Sequence, residues 1–176
     1  ARLAVRFGPR DIRSFTIPGE KPGEPEPLDE ITAAAVTPAG SVLVADEKRR
    51  RVYRFDGQGQ FKGVFGETRD RQVERLLLDG EGAVVVLDRE EKTVRSYDEN
   101  GKLLSTIAAK GAGWELRRPV DVAVDPAGNV YVADESGSVL LFSPQGQLKL
   151  ALADAKKPQA LTLDPSGAIL VYDGEA

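Results

Sequence analysis

A fourfold internal repeat is the sequence feature that most constrains how this chain can fold. Each copy has an apolar strand-sized segment, a turn that contains glycine, and a second apolar segment that ends in aspartate. The copies cover residues 34–46, 76–88, 122–134 and 160–173. Successive turn glycines are 42, 46 and 39 residues apart. Repeats of this length hold several strands each, so the sequence predicts an all-β protein made of repeated sheets.

Each complete copy continues into two more strand-sized segments. In the first copy these follow the aspartate as Val52–Phe55 and, after the turn Asp56–Gly59, a segment that includes Phe61. Short β-branched and apolar runs between Gly, Pro, Asp and Asn are typical of strands and turns. Four strands per repeat at this spacing predict a β-propeller. Its complete blades are predicted at residues 31–66, 72–108 and 117–153.

The two ends of the sequence resemble complementary halves of one more blade. Residues 157–176 begin a fourth copy, and residues 1–17 resemble the third and fourth strands of the first copy. Pairing them would close a ring and remove open sheet edges. The sequence therefore predicts four blades in this chain, the fourth formed from both termini. A fragment of a larger ring and a ring shared by two chains remain alternatives.

Residues 18–30 interrupt the repeat with four prolines and five acidic residues. This composition disfavours a strand and predicts an extended, solvated connector between the closing blade and the first complete blade. A loop that caps a ligand is the alternative interpretation. The whole chain, residues 1–176, is predicted to be a single propeller domain.

The residue types that are absent limit the chemistry of the chain. Its 176 residues include no Cys and no His, which excludes disulfides, thiolate chemistry and imidazole-ligated zinc. A net charge of −4 disfavours a general nucleic-acid binder. No apolar run approaches the ~20 residues of a membrane-spanning helix. The sequence assigns no compartment, with a slight preference for an extracytoplasmic one.

Residues 120–148 resemble the NHL-repeat family of β-propellers. The resemblance lies in the turn Asp125-Pro126-Ala127-Gly128-Asn129 and the strand Val130-Tyr131-Val132-Ala133-Asp134 that follows it. It implies four-stranded blades and, for the family's usual six blades, a chain that is a fragment of a six-bladed ring. It also implies a non-catalytic, bacterial-type scaffold that presents loops to a protein or peptide partner. The alternatives are a channel-centred hydrolase, lyase or sugar-binding propeller, and RNA binding through a basic loop.

Three features are candidates for partner binding, and no catalytic residue is predicted. The basic loop Lys48, Arg49, Arg50 and Arg51 could bind phosphate, an acidic peptide or RNA, although a solvated charged loop explains it as well. RNA readers usually add aromatic residues for base stacking, and this loop has only Tyr53 nearby.

The other two candidates are single residues. Trp114, in a long connection between blades, is either an anchor for a partner or a cap on the core. Asp121, at the start of a first strand, could face the central channel. No cofactor is predicted. Calcium is the alternative, because aspartates recur in the repeat, but they are interpreted as residues that bond to turn amides. The recurring aspartates are Asp46, Asp88, Asp134 and Asp173 at one position and Asp79, Asp125 and Asp164 at another.

Overall fold

The computed structural model describes residues 4–8, 11–19, 25–66, 68, 71–152 and 155–174, with side chains from residue 15 onwards. All regular elements in these residues are β-strands. No helix in this part of the chain is long and apolar enough to cross a bilayer. The strands that precede the first complete blade are β1 (Ala4–Gly8), β2 (Asp11–Ser14), β3 (Thr16–Pro18) and β4 (Pro25–Pro27).

Three four-stranded antiparallel sheets form the complete blades. The first blade consists of β5 (Ile31–Val36), β6 (Val42–Asp46), β7 (Arg51–Phe55) and β8 (Phe61–Val64). The second consists of β9 (Val73–Leu78), β10 (Val84–Asp88), β11 (Thr93–Tyr97) and β12 (Leu103–Ile107). A hairpin of β13 (Lys110–Gly111) and β14 (Trp114–Glu115) leads to the third blade. That blade consists of β15 (Pro119–Val124), β16 (Val130–Asp134), β17 (Ser138–Phe142) and β18 (Leu148–Leu152).

A further pair of strands, β19 (Pro158–Leu163) and β20 (Ile169–Asp173), follows the third blade. In every complete blade the strands pair in chain order, so each strand reaches its neighbour through a short turn. The first strands β5, β9, β15 and β19 contact one another from blade to blade, which places them on the inside of the arrangement. The predicted all-β fold of four-stranded propeller blades is confirmed.

The second strand of each complete blade is buried on both faces. In β6, Val42 and Val44 pack with Phe15 on one side of the sheet, whereas Leu43 and Ala45 pack onto the second blade. Successive side chains of a strand point to opposite faces, so a strand between two blades must be apolar at nearly every position. This explains why the repeat is recognisable from runs such as Val84–Asp88 rather than from alternation.

The strands at the two ends form two separate two-stranded sheets, β1 with β2 and β19 with β20. The β19–β20 pair has the register of the first two strands of a complete blade, including the irregularity next to its closing aspartate. The composite closing blade of residues 1–17 and 157–176 additionally requires pairing between β1 and β20. It remains a prediction, and residues 1–3, 9–10 and 175–176 lie outside the described residues.

Part of the predicted connector is a strand, so the interpretation of residues 18–30 as free of strands was wrong. Pro25–Pro27 pairs with Thr16–Pro18, and Ile17 lies opposite Glu26. A two-stranded ribbon has unpaired outer edges, where prolines without an N–H are tolerated. Leu28 follows this ribbon and is fully buried against the first blade. Residues 20–24 of the connector lie outside the described residues.

The aspartate that closes each second strand bonds to backbone amides. Oδ2 of Asp134 accepts hydrogen bonds from the N–H groups of Arg117 (2.7 Å) and Arg118 (3.0 Å). Oδ1 accepts from the backbone N–H and the hydroxyl of Ser136. Asp46 likewise accepts from one amide before its blade and one in the loop after β6. Each such aspartate ties the start of the first strand to the loop after the second.

Asp88 is the exception among these aspartates. Its Oδ1 accepts a hydrogen bond from the N–H of Glu91 (2.9 Å), but its buried Oδ2 has no hydrogen-bond partner among the described residues. The guanidinium groups of Arg71 and Arg95 lie 3.8 and 4.0 Å from Oδ2. Burial raises the pKa of the Asp88 carboxyl, with these two cations opposing the increase.

The two aspartates should therefore respond differently to replacement by asparagine. We expect Asp134→Asn to lower the free energy of unfolding by about 2–3 kcal/mol, because an amide group would face two backbone N–H donors. Asp88→Asn should change it by less than about 1 kcal/mol near pH 7. Urea unfolding of both variants and the parent protein measures the difference. Equal losses in the two variants would contradict this account of the hydrogen bonds.

The pH dependence of Asp88→Asn follows from the same environment. A raised pKa in the folded state means that ionisation of Asp88 costs stability as the pH increases through that pKa, and the cost is absent below the unfolded-state pKa. Asparagine removes this cost, so the free energy of unfolding of the variant, relative to that of the parent protein, should be highest near neutral pH. At about pH 4 this difference between variant and parent should be smaller or of opposite sign. A difference that is independent of pH would contradict the prediction.

The last residue of the loop between the second and third strands has a left-handed backbone. This residue is Arg50 in the first blade (φ 54°), Lys92 in the second (φ 55°) and Gly137 in the third (φ 109°). Non-glycine residues pay about 1 kcal/mol or more for this conformation. We expect Lys92→Gly to raise the free energy of unfolding by about 0.5–1 kcal/mol. Lys92→Ala, which keeps the Cβ atom, is the control and should bring no increase.

Candidate functional site

One face of the blades carries most of the charged loops. Asp46 and Asp134 fix this geometry in their blades, because each holds the start of a first strand beside the loop that follows the second strand. In the second blade the N–H of Arg89 donates to the carbonyl oxygen of Gln72 and makes the same link. These two kinds of segment therefore meet on the same side of every blade. We call this side the charged face, and it comprises residues 46–51, 71–75, 88–93, 115–118, 134–138 and 156–157.

The first half of the basic loop is paired with the segment that precedes the first blade. Lys48 Nζ lies 2.9 Å from Asp29 Oδ2, and Arg49 Nη2 lies 2.8 Å from Glu26 Oε2. The hydrogen bond with Lys48 lowers the pKa of the Asp29 carboxyl, and the same bond raises the pKa of Lys48. The acidic residues of the Pro/Glu-rich segment thus neutralise charge on the basic loop. A partner would have to displace these contacts.

The second half of the basic loop also makes contacts within the chain. Arg50 forms an ion pair with Glu90, which lies in the corresponding loop of the second blade. Arg51 donates from Nε to the carbonyl oxygen of Arg49 at 2.9 Å. All four cations that the sequence singles out therefore have partners in the chain. Their role in partner binding remains a prediction, and a partner would have to compete with these contacts within the chain.

A second group of cations, on the third and fourth repeats, is less well compensated. The Glu135 carboxylate lies between Arg118, whose Nη2 is 2.9 Å from Oε2, and Lys157, whose Nζ is 3.8 Å from Oε1. The side chains of Arg118 and Lys157 are 65% and 40% exposed, whereas that of Glu135 is only 16% exposed. Two accessible positive charges thus share one largely covered negative charge.

Two neighbouring residues extend this group. Arg117 is exposed and lies 3.2 Å from Glu115, and Lys156 is exposed next to Lys157. The backbone N–H groups of all four cationic residues donate to the closing aspartates of their repeats. The long cationic side chains therefore extend from a backbone that is held by hydrogen bonds. We call this group the cation cluster, and it consists of Arg117, Arg118, Lys156 and Lys157.

The cation cluster is not evident from the sequence, because its residues do not form a contiguous run. Arg118-Pro119 and Lys157-Pro158 occupy the same place in successive copies, 39 residues apart. Adjacent blades bring equivalent positions side by side, so residues that are distant in the chain become neighbours. A comparison of charge between repeats at each position would have revealed the cluster. The basic loop at residues 48–51, by contrast, is contiguous and therefore evident in the sequence.

Asp121 links three blades rather than pointing freely into a channel. Its Oδ1 accepts a hydrogen bond from Arg75 Nε in the second blade at 2.8 Å, and its Oδ2 accepts from the N–H of Leu161 in the fourth repeat at 2.9 Å. The N–H of Val122 also donates to Oδ1. Asp121 is 7% exposed. These contacts give Asp121 a role in holding successive first strands together.

Trp114 packs against the third blade. Its ring packs edge-on against Phe142, with the ring centroids 4.9 Å apart. Gly111, opposite Trp114 in the β13–β14 hairpin, leaves room for the indole, since a Cβ atom there would lie 2.4 Å from Nε1. The structure thus places Trp114 as a partly buried cap on the third blade. Its alternative role as a partner anchor remains a prediction.

The carboxylates of the repeat do not converge on a metal site among the described residues, where no group of three or more suitable side chains is found. Their oxygens instead accept hydrogen bonds from turn amides, as Asp125 does from Ala127 and Asn129. A groove of about 350 Å³ lies between the second and third blades on the side opposite the charged face. Its acidic lining includes Asp79, whose Oδ1 is likewise bonded to turn amides.

Comparison with known proteins identifies the repeat. The family model described as NHL repeat matches residues 116–138. The chain is 26% identical over 127 residues to protein brain tumor of Drosophila melanogaster, covering 68% of this chain and 12% of that protein. It is 32% identical over 98 residues to the human E3 ubiquitin-protein ligase NHLRC1, covering 54% of this chain and 25% of that protein. The chain thus spans a quarter or less of the length of these curated relatives.

Solved structures show the same fold at lower sequence identity. Virginiamycin B lyase from Staphylococcus aureus matches with a TM-score of 0.67 and 14% identity, covering 82% of this chain and 49% of that one. The WD40 β-propeller domain of Doa1 matches with a TM-score of 0.65 and 16% identity, covering 80% of this chain and 47% of that one. In both cases the blades of this chain correspond to about half of the other structure.

The fold, the NHL-repeat match in the third blade and the similarity to two NHL proteins agree with the motif at residues 125–134. This chain is a β-propeller that contains an NHL repeat at residues 116–138, as its motif predicts.

Proposed function

We propose that this chain is a non-catalytic recognition module that binds an acidic segment of a protein partner through the cation cluster. The observation that carries the proposal is the sharing of Glu135 by Arg118 and Lys157. An acidic segment can supply a second carboxylate to these two exposed cations, which share one within the chain. Arginine favours such a partner because its guanidinium group binds carboxylates in a bidentate manner.

The backbone beneath the cluster favours recognition as well. The closing aspartates hold the amides of Arg117 and Arg118 and those of Lys156 and Lys157. A binding surface on a fixed backbone loses less conformational entropy when a partner binds. The remaining cost is the ordering of long side chains, which is modest for each of them. The similarity to an NHL protein named as a ubiquitin ligase is compatible with a role in protein recognition.

Catalysis has less support. The chain has no His or Cys, and the carboxylates discussed above are engaged with turn amides. RNA binding is the other alternative, but the ring next to the cluster, Trp114, packs against Phe142 rather than standing free for base stacking. An acidic peptide needs no stacking surface. It therefore fits the described side chains better than single-stranded RNA does.

Binding of a fluorescently labelled oligoglutamate peptide tests the proposal. We expect Arg118→Ser combined with Lys157→Ser to weaken binding about tenfold, because both exposed cations are lost. The matched control, Lys48→Ser combined with Arg50→Ser, removes two cations that are already paired and should change affinity less than about twofold. Fluorescence anisotropy at low salt measures both. Equal effects of the two double variants would overturn the assignment of the site.

Glu135→Gln gives a test with the opposite sign. This variant frees Arg118 and Lys157 from their shared carboxylate, so the affinity for the acidic peptide should increase about threefold. Loss of binding in Glu135→Gln would contradict the model, since it would make Glu135 a contact of the partner rather than a competitor. Tighter binding of a single-stranded RNA of equal charge than of the peptide would replace the protein partner with a nucleic acid.

A further inference from the structure

The groove between the second and third blades continues across the second blade towards the first. Its larger part has a volume of about 350 Å³, and a second depression of about 280 Å³ extends it to Pro38 of the first blade. Leu104 and Glu81 line both parts. The second blade has a complete blade on either side, so this surface is not created by the ends of the sequence. We call the two parts together the acidic groove, after its lining residues Asp79, Glu81, Asp98 and Glu99.

Leu104 occupies a position at which the other complete blades have lysine. In each blade one residue of the fourth strand lies at an irregularity of the register, and these residues are Lys62, Leu104 and Lys149. Lys62 Nζ lies 2.9 Å from Asp56 Oδ2, and Lys149 Nζ donates to Asn129 Oδ1 at 3.0 Å. Leucine can make neither contact. Its side chain instead stays exposed in the groove, at 56%.

The second blade lacks another cation of the first blade. Arg54, in the third strand of the first blade, donates from Nε and Nη2 to Ser41 Oγ at 3.2 and 3.1 Å. The strand register places Ser96 at the corresponding position of the second blade, and Ser96 lines the groove. Two long cationic side chains of the first blade are thus replaced by serine and leucine. This exchange leaves both open space and uncompensated negative charge.

The carboxylates of the acidic groove can accept a cation from outside the chain. Asp98 Oδ1 accepts hydrogen bonds from two turn amides at 2.9 Å each, as Oδ1 of Asp56 does in the first blade. Oδ2 of Asp56 contacts Lys62, and this hydrogen bond lowers the pKa of the Asp56 carboxyl. Among the described residues, no side chain pairs with Oδ2 of Asp98 or with the carboxylates of Glu81 and Glu99.

We propose that the acidic groove binds a basic segment of a protein partner, with an arginine side chain in the place that corresponds to that of Lys62. Glu81, Asp98 and Leu104 line the same depression, so one side chain can contact all three. The guanidinium group can bind carboxylates in a bidentate manner, and the methylene groups of arginine can pack on the exposed leucine. The groove lies on the side opposite the cation cluster. It is therefore a second recognition site, with the opposite preference for charge.

Binding of a fluorescently labelled tetra-arginine peptide tests this assignment. Leu104→Lys gives the second blade the residue of the first and third, and it should weaken binding about tenfold because its ammonium group competes with the peptide. Gln60→Lys is the matched control, since it adds the same charge to the first blade where the second already has Lys102. It should change affinity less than about twofold in anisotropy measurements at about 0.15 M salt, which screens distant charges. Equal effects of the two variants would overturn the proposal.

Removal of a carboxylate supplies the second measurement. Glu81→Gln keeps the backbone N–H that bonds to Asp79, so the turn is retained while the charge is lost. We expect this variant to bind the tetra-arginine peptide about threefold more weakly. Glu115→Gln removes the same charge from the charged face and should change affinity less than about 1.5-fold. Unchanged affinity of Glu81→Gln, or equal losses in both glutamine variants, would exclude the groove as the binding site.

Discussion

Burial of the second strand on both of its faces is the constraint on which the rest of this structure depends. A strand between two blades has no polar side, so β6, β10 and β16 are apolar almost throughout. Even residues pack on one neighbour and odd residues on the other. The second strand of each complete blade therefore depends on apolar contacts on both of its faces.

The same constraint moves polar chemistry to the loops. With the sheet interiors committed to apolar packing, charged residues gather where strands begin and end, and the closing aspartates fix their backbone. Ion pairs there cross from one blade to the next, as between Arg50 and Glu90 or between Lys157 and Glu135. Exposed pairs of this kind contribute little to stability. Their importance lies in which cations they leave without a full counterion.

The fold could be predicted from the sequence because residues close together in the chain specify each turn and strand. Turn residues such as Pro126 and Gly128, followed by a run such as Val130–Asp134, specify a strand pair without reference to the rest of the chain. The site could not be predicted in the same way. The partners of Lys48 and Arg49 lie in a segment that was interpreted as a solvated connector, and its strand character depends on pairing with residues 16–18.

The roles of Trp114 and Asp121 also could not be predicted from the sequence, because residues of other blades determine their surroundings. Trp114 could not be assigned from its neighbours, because its environment is set by Phe142 of the next blade and by the space above Gly111. Asp121 looked like a channel residue because the repeats differ at its position. The structure shows the reason for the difference: Arg75, at the corresponding position of the preceding blade, donates to it. Departures from a repeat can thus mark a contact between copies as readily as a binding site.

Strand pairing at the edge of β20 and recognition of an acidic segment are physically connected through the fourth repeat. Asp173 ends β20 and accepts hydrogen bonds from the N–H groups of Lys156 and Lys157, which carry half of the cation cluster. Pairing of β20 with a further strand would reduce the motion of Asp173 and of the backbone that it holds. A partner that prefers the ordered cluster would then favour the paired state, and pairing would raise its affinity by the same factor. The edge of β20 and the charged face would act as two coupled sites on one pair of strands.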